Sequence, residues 1–479
     1  MSSPNGGRPP LALLCSAQFM LTLDFAIVNV ALPAMHRDLG FTSGSLPWVI
    51  GAYALFFGGF LLLGGRAGDL FGRKRMFVAG LIVFTLASLV GGLATVPIVL
   101  ILARALQGLS AAAVSPAVLA LIAAGYPQPA ERAKAMGVFG AVASAGFAGG
   151  VLAGGILTET LGWRSVMYVN VPVGILLVVS ALRKLAPDHQ GHQVRRVDVP
   201  GALLVTSAFC LFSYALTIAA DKGWGAGSVI WPMVAGAVLL IAFLILETRV
   251  KEPLVALSIF KIRSVTGGNA VAFLSGGVMS ISTFCLTLYM QQILHYSSIK
   301  TGLAFFPQAF VVVLASLPVA KATMKYGPRP VLVGGALFLL AGSLWLTQAS
   351  GPDSYLSHVL PGGVLLGLGV TVMMITTAFA ATTGVPPQQM GLASGLYNSL
   401  RQLGVGLCLS VAVAIAGLGA LGSGVDNFKT AFSLSAGLSI VIAIVSAVLV
   451  PGRKPAPVAA PASSAPAAAP SREPVAVTD

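Results

Sequence analysis

The chain has 479 residues, of which 56% are hydrophobic and only 9% charged, with 28 Lys and Arg against 14 Asp and Glu for a formal net charge of +14. Soluble domains carry roughly 25% charged residues, so this chain has too little charge to cover a water-facing surface of ordinary size. A nucleic-acid binder gathers its basic residues on one polar face, whereas these lie in short clusters between long apolar runs; that excludes a nucleic-acid partner and marks a polytopic membrane protein.

The opening MSSPNGGRPP, residues 1–10, leads into an apolar run without a small-residue cleavage site. That run is too long for a signal-peptide core and reads as a retained first helix. Counting roughly 17–25 mostly apolar residues per span predicts helices near 11–33, 45–65, 76–95, 97–124, 134–158, 164–183, 199–219 and 229–248, then near 264–290, 300–320, 330–349, 357–383, 390–420 and 429–450. Residues 451–479 are rich in Ala and Pro and are expected to form a disordered cytoplasmic tail. Cys15, Cys210, Cys285 and Cys408 all sit in apolar runs, none in a C-x-x-C pair, and read as small packing residues rather than disulfide or zinc ligands.

The basic residues test the count. With the N-terminus inside, 21 of the 28 Lys and Arg fall on the inner side, five on the outer side, and Arg104 and Arg401 within spans. That asymmetry satisfies the positive-inside rule for a multi-pass protein of the cell (inner) membrane with both termini cytoplasmic.

An internal repeat follows. Gly65-Arg66-Ala67-Gly68-Asp69-Leu70-Phe71-Gly72-Arg73-Lys74-Arg75 after the second span aligns without gaps, at an offset of 255, with Ala320-Lys321-Ala322-Thr323-Met324-Lys325-Tyr326-Gly327-Pro328-Arg329-Pro330 after the tenth. The repeat pairs spans 1–6 with spans 9–14. It predicts an N-terminal six-helix bundle over 11–185, a linker over 186–198, an inserted two-helix hairpin over 199–248, a linker over 249–263 and a C-terminal six-helix bundle over 264–450. The fold class is all-α polytopic membrane protein, a transporter architecture.

On these residues the chain resembles the major facilitator superfamily, and within it the fourteen-helix drug:proton antiporters of the QacA/EmrB-like branch. Residues 65–75 match that superfamily's G-x-x-x-D-R/L-x-G-R-K/R-R segment. Leu23-Asp24-Phe25-Ala26-Ile27-Val28-Asn29-Val30-Ala31-Leu32-Pro33 matches the branch's first helix, with Ala26 for the usual Thr. Gly162-Trp163-Arg164 through Asn170-Val171-Pro172-Val173-Gly174 matches its sixth, while Tyr289 to Gln292, Gly302 and Pro307, and Asn398, Arg401, Gln402 and Gly404, echo later ones. In the fifth helix Gly137, Gly146, Gly150, Gly154 and Gly155 keep the antiporter spacing, but Val151 replaces the motif's proline. Gly146, Gly150 and Gly154 form two overlapping G-x-x-x-G steps that allow close helix approach; the missing proline removes a forced distortion and weakens the implication of antiport, not of transport.

Asp24 is the only acid near the middle of a span. An ionised carboxylate there is expensive, so such residues serve ion or proton pathways; the bland alternative is an acid kept for a structural hydrogen bond. Gln18, Thr22, Phe25 and Asn29 share one helical stripe, from which Asp24 points away by more than about 90°. The cavity is expected to see one and a helix contact to shelter the other. Arg104 lies at about the depth at which it meets Asp24 if helices 1 and 4 pack. The resemblance implies a proton-coupling role for Arg104 with Gln107 and Gly108, against an alternative of tying up backbone carbonyls. Arg401 is read as either gating or packing. Gly65, Arg66, Asp69, Gly72 and Arg73 are expected at the inner gate, Asp69 capping a facing helix or pairing with arginines. Phe25, Asn29, Tyr53, Phe284, Tyr289, Phe306, Gln308, Tyr397 and Asn398 are candidates for an amphipathic substrate's cavity.

The chain has no Gly-Lys dipeptide, hence no Walker A loop, and no cofactor or metal site is expected. The reading is a non-enzymatic, proton-coupled exporter of lipophilic or cationic toxic compounds that works by alternating access as a monomer in the bilayer, or, alternatively, a proton-coupled exporter of one endogenous metabolite or antibiotic. A non-transporting membrane sensor is the alternative from another class.

Overall fold

Without water to pair with, each backbone N–H and C=O in a bilayer has to be satisfied within its own segment, so long apolar runs fold as helices. The computed structural model describes residues 9–452 apart from 43–44, 127, 188–197, 251–252, 256, 352, 386–388 and 418–423. Most of the first linker and the Ala/Pro-rich tail therefore lie outside the described residues, as do the side chains of Asp69 and Arg132. Among the described residues fourteen helical spans are long and apolar enough to cross a membrane, at the fourteen expected places, and no strand occurs.

The helices are α1 (Leu11–Leu39), α2 (Trp48–Phe71), α3 (Arg73–Gly92), α4 (Pro97–Gly125), α5 (Pro129–Leu161), α6 (Ser165–Tyr168), α7 (Asn170–Lys184), α8 (Val199–Lys222), α9 (Gly227–Arg249), α10 (Arg263–Gln292), α11 (Ser298–Ala304), α12 (Phe306–Tyr326), α13 (Pro328–Leu346), α14 (Leu360–Thr382), α15 (Met390–Ala416) and α16 (Val425–Leu449). Three spans are broken near their starts, each just before a proline. Pro172, Pro307 and Pro361 lack an N–H and crowd the carbonyl four residues back. Accordingly α6 gives way to α7, α11 to α12, and a π turn over Tyr355–Val359 precedes α14.

The expected loop over 65–75 is mostly helix: α2 runs on to Phe71, and only Gly72, at φ 102, makes the turn into α3. No residue before Gly72 breaks the helix, so its polar last turns project beyond the apolar span. The counterpart Gly327, at φ 85, turns α12 into α13 in the same way, so the repeat extends to the one position in each hairpin that takes a left-handed backbone.

Small residues set the close helix contacts. A Cβ at Gly146, Gly150 or Gly154 would stand 2.3 Å from Thr22 Oγ1, 2.7 Å from Leu23 O and 2.6 Å from Ile27 O, so α5 lies directly on α1. Gly108 packs on the backbone of Tyr53, where a Cβ would come within 2.3 Å of its carbonyl, joining α4 to α2. In the other half Gly404 meets Phe273 O and Gly276 meets Arg401 O, at 1.9 and 2.2 Å from the would-be Cβ, locking α10 to α15.

The two halves touch along two seams. On one, Gly58 of α2 packs against Ser399 and Gln402 of α15. The inserted α8 covers this seam and holds both sides: Trp48 Nε1 donates to Thr217 Oγ1 at 3.3 Å, and Ser213 bonds Ser410. On the other seam, α5 meets α11 at the end away from Arg66. There Gly155 abuts Ser298, Gly302 abuts Val151, Ile299 N donates to Glu159 Oε2 at 2.8 Å, and Gln291 Nε2 donates to Val30 O at 3.0 Å. Toward the Arg66 end, Met136, Gly137, Val138, Gly140 and Ala141 of α5 are exposed around most of the helix circumference. The halves are thus closed at the face opposite the basic residues and parted along α5 at the basic face.

Candidate functional site

The N-terminal half encloses a polar network in an otherwise apolar interior. Asp24, Arg104 and Gln107 are each fully buried. Arg104 Nη1 donates to Asp24 Oδ2 at 2.6 Å and to Gln107 Oε1 at 2.7 Å, while its Nε donates to Val49 O at 3.0 Å. Asp24 Oδ1 accepts from Gln107 Nε2 at 3.0 Å and from Asn170 Nδ2 at 2.7 Å. Gln107 Nε2 also donates to Ser88 Oγ at 2.8 Å, and Ser88 donates to Phe84 O. Tyr53 lies under the guanidinium, its ring centroid 4.5 Å from Cζ, a cation–π contact. Five helices, α1, α2, α3, α4 and α7, each contribute a group.

This geometry decides the sequence's open question about helix 1. Asp24 faces the interior of its own bundle, and the stripe of Gln18, Phe25 and Asn29 faces elsewhere. Phe25 and Gln18 are half-buried, and Asn29 returns its amide to Phe25 O at 2.9 Å. Both Asp24 oxygens thus accept N–H donors, from Arg104, Gln107 and Asn170 together. Removing two charges from water costs about what their attraction returns, so the network is poor evidence for stability. Asn170 and Ser88 complete it. Asn170 stands in the sixth-helix motif, but nothing in the sequence aims it at Asp24; Ser88 is one serine among many.

The basic residues of 65–75 grip helix ends. Arg73 Nη1 donates to Ala120 O near the C-terminus of α4 at 3.3 Å, and Lys74 Nζ donates to Leu182 O and Leu185 O at 3.2 and 2.6 Å at the C-terminus of α7. Cations there meet the negative end of the helix dipole and its orphan carbonyls. Arg66 Nη2 donates to Pro253 O, which ties the segment to the connection after the inserted hairpin. Gly65 is 3.7 Å, measured from a would-be Cβ, from Pro116 of α4. The expected role of the Asp69 side chain lies outside the described residues.

The proposed substrate residues divide. Phe25 and Tyr53 form one aromatic wall with Phe57, ring centroids 5.7 and 5.9 Å apart, of which Phe25 and Phe57 remain half-buried and Tyr53 does not reach the surface. On α15, Ser394, Asn398 and Arg401 share a half-buried stripe between the faces that meet α2 and α10. Arg401 Nε is buried without a hydrogen-bond partner, and Asn398 donates to Ser394 O. Tyr289 is placed otherwise: it is buried in the C-terminal half, bonds Ser354 Oγ at 2.7 Å and packs edge-on against Phe428 at 5.4 Å. Phe284 is fully buried, and Phe306 sits with Phe310, Val313 and Leu317 on an exposed apolar stripe of α12. Buried packing and lipid contact account for these three, and neither environment is distinguishable from cavity lining by residue type.

The Major Facilitator Superfamily model matches residues 14–408 and, a second time, 269–476. The chain belongs to the Major Facilitator Superfamily. It is 44% identical over 401 residues to a puromycin resistance protein of Streptomyces alboniger, covering 82% of this chain and 78% of that one. It is also similar to a cephamycin export protein of Amycolatopsis lactamdurans, 39% identical with 86% of each chain covered, and to a lincomycin resistance protein of Streptomyces lincolnensis, 33% identical with 90% and 89% covered. The solved structure of the nucleoside transporter NupG superposes with a TM-score of 0.64 over 91% of this chain and 98% of that one at 12% identity, a likeness of fold. The chain is a multi-pass membrane transporter-family protein with two six-helix bundles and two inserted helices.

Proposed function

We propose that this member of the superfamily is a proton-coupled efflux transporter, an antiporter that exports lipophilic or cationic toxic compounds by alternating access, with both termini cytoplasmic. The resistance and export proteins among its relatives support efflux. The observation that supports the proton coupling is the placement of Asp24, fully buried in α1 and bonded by Arg104, Gln107 and Asn170, while the basic face is parted and the other face closed. This is the conformation from which a proton has left to the cytoplasm and substrate enters. Loading a proton on Asp24 from the outer side cancels its charge, frees Arg104 from the pair and re-sorts the donors shared with Gln107. The two arrangements of that network are then two states that helices 1 and 4 occupy in turn. The gradient supplies the energy, and substrate binds between the wall of Phe25 and Phe57 and the stripe of Asn398 and Arg401.

A narrower reading, export of a single endogenous antibiotic by the same mechanism, is favoured by the cephamycin export relative. Transport into inverted vesicles, with a panel of dyes and antibiotics and an imposed proton gradient, tests both. The wild type accumulates at least one compound and Asp24→Asn accumulates none. Accumulation of many compounds favours the broad reading and of one the narrow. Equal accumulation by Asp24→Asn would refute proton coupling at this residue.

A further inference from the structure

The C-terminal half carries one cation deep in a span, and nothing around it answers the charge. Arg401 stands near the middle of α15, and none of its N–H groups meets a hydrogen-bond or ion-pair partner among the described residues. Its Nε is closed off from solvent, while the side chain as a whole is half-buried. The backbone here is pinned: a Cβ at Gly276 of α10 would stand 2.2 Å from Arg401 O and 3.4 Å from its Cγ. Ser410, about two and a half turns further along and so on the opposite side of the helix, bonds Ser213 of the inserted α8. Arg401 therefore points away from the inserted hairpin, into the cleft between α2 and α10. Gly58 of α2 packs on Ser399 and Gln402, which straddle Arg401. Arg401 thus lies at the level of Phe57, in the aromatic wall with Tyr53 and Phe25.

A guanidinium keeps its charge in proteins, so it does not escape burial by losing a proton as a lysine does. A charge at mid-membrane depth is costly, and a buried donor without an acceptor adds to the cost. Arg104, the other cation within a span, is answered by Asp24, Gln107 and Val49 O. Asp24 is the only acid near the middle of a span and is fully buried in that pair, so the chain has no mid-span carboxylate left for Arg401. We infer that the missing partner is a small-molecule anion: Arg401 receives a carboxylate or another anionic oxygen group of a compound whose apolar or aromatic body lies against Phe57 and Phe25. The planar fork of a guanidinium holds such a group through two parallel hydrogen bonds. That this compound is the exported one rests on the efflux reading above, which it narrows from lipophilic or cationic compounds to amphipathic acids and zwitterions. A purely cationic compound would meet an unpaired positive charge at the same level.

The test titrates purified full-length protein by calorimetry, in a neutral detergent at neutral pH. The probes are rhodamine B, a zwitterion, and pyrenebutyrate, an anion, each beside its methyl ester, which keeps the body of the compound and removes the negative charge. The wild type is expected to bind at least one acid about tenfold to a hundredfold tighter than its ester, the worth of one hydrogen bond to a charged group. Arg401→Gln should lose that preference. Arg401→Lys, which keeps a point charge but not the fork, should retain part of it, so the inference stays testable if the Gln variant does not fold. Survival of the full preference in Arg401→Gln, with both affinities lowered together, is the outcome of a packing role and would overturn the inference. Equal or tighter binding of both esters by the wild type would overturn it too. If phosphatidylglycerol, and not phosphatidylcholine, is bound through Arg401 while neither acid is preferred, the occupant is a lipid headgroup and the inference falls. Gradient-driven uptake into inverted vesicles separates this inference from the efflux reading. Uptake of the esters without any preference for the acids leaves efflux standing and the anion site fallen. Arg401-dependent preference for an acid in binding, with no compound accumulated, leaves the anion site standing and the efflux reading fallen.

Discussion

The two halves share a backbone plan but not their interior chemistry. In the N-terminal half the centre holds an ion pair wrapped in amides, Asp24, Arg104, Gln107 and Asn170. Among the described residues, the buried side-chain-to-side-chain contacts within the C-terminal half are between hydroxyls: Ser435 with Ser282 and Ser343 at 3.4 and 3.0 Å, Thr323 with Thr376 at 2.8 Å, Tyr289 with Ser354. The offset of 255 that equates Gly72 with Gly327 carries Asp24, Arg104 and Gln107 onto Met279, Val359 and Gly362. The turn geometry of the repeat is retained, since it is set by one left-handed glycine, while among the described residues the buried ion pair belongs to the N-terminal half alone. Hydroxyl pairs hold helices together without a change of charge; an ion pair that exchanges a proton, as proposed for Asp24 and Arg104, gives its half two states.

That contrast is sharpened by breaking each half where it differs. Arg104→Gln strands Asp24 without its counter-ion, and breaking a buried pair from one side costs about 3–5 kcal/mol. Thermal unfolding in detergent should register that loss, and the double variant Asp24→Asn, Arg104→Gln should recover part of it without recovering gradient-driven uptake. Gly150→Leu drives a side chain into Leu23 O and Ala26, whose would-be contacts are already 2.7 and 2.8 Å. Overpacking of this kind costs about 1–3 kcal/mol, read as lowered thermal stability and reduced transport at an unchanged pH profile. Ser435→Ala removes one hydroxyl from the C-terminal set. A loss of about 1 kcal/mol, with gradient-driven uptake retained, is expected from the same two assays. A Ser435→Ala protein as uncoupled as one altered at Asp24 would erase the distinction between the halves.

Much of this plan was legible in the residues. The fourteen spans follow from apolar length, and the alternation of basic residues orders them. Depths of roughly 15 Å for Asp24 and 10 Å for Arg104 let the two meet if helices 1 and 4 pack, and helical phase separated Asp24 from the stripe of Gln18, Phe25 and Asn29. Less was legible where side-chain identity does not fix environment. Rising polarity places the end of span 2 near residue 65, but hydrogen bonding carries the helix on until Gly72 stops it. Tyr289 and Phe306 are aromatic residues in apolar helices, and an aromatic ring serves lipid, core and cavity equally well. Asn170 and Ser88 join Asp24 only through tertiary packing.

The central claim is that Asp24 is the group that exchanges a proton against substrate. Purified protein in weakly buffered detergent solution, mixed with a transported compound and followed with a pH-indicating dye, measures this directly. The account predicts that the wild type releases protons on binding substrate at a pH where part of the population is protonated, and that Asp24→Asn binds the same compound with no release. Proton release by Asp24→Asn equal to that of the wild type would contradict it.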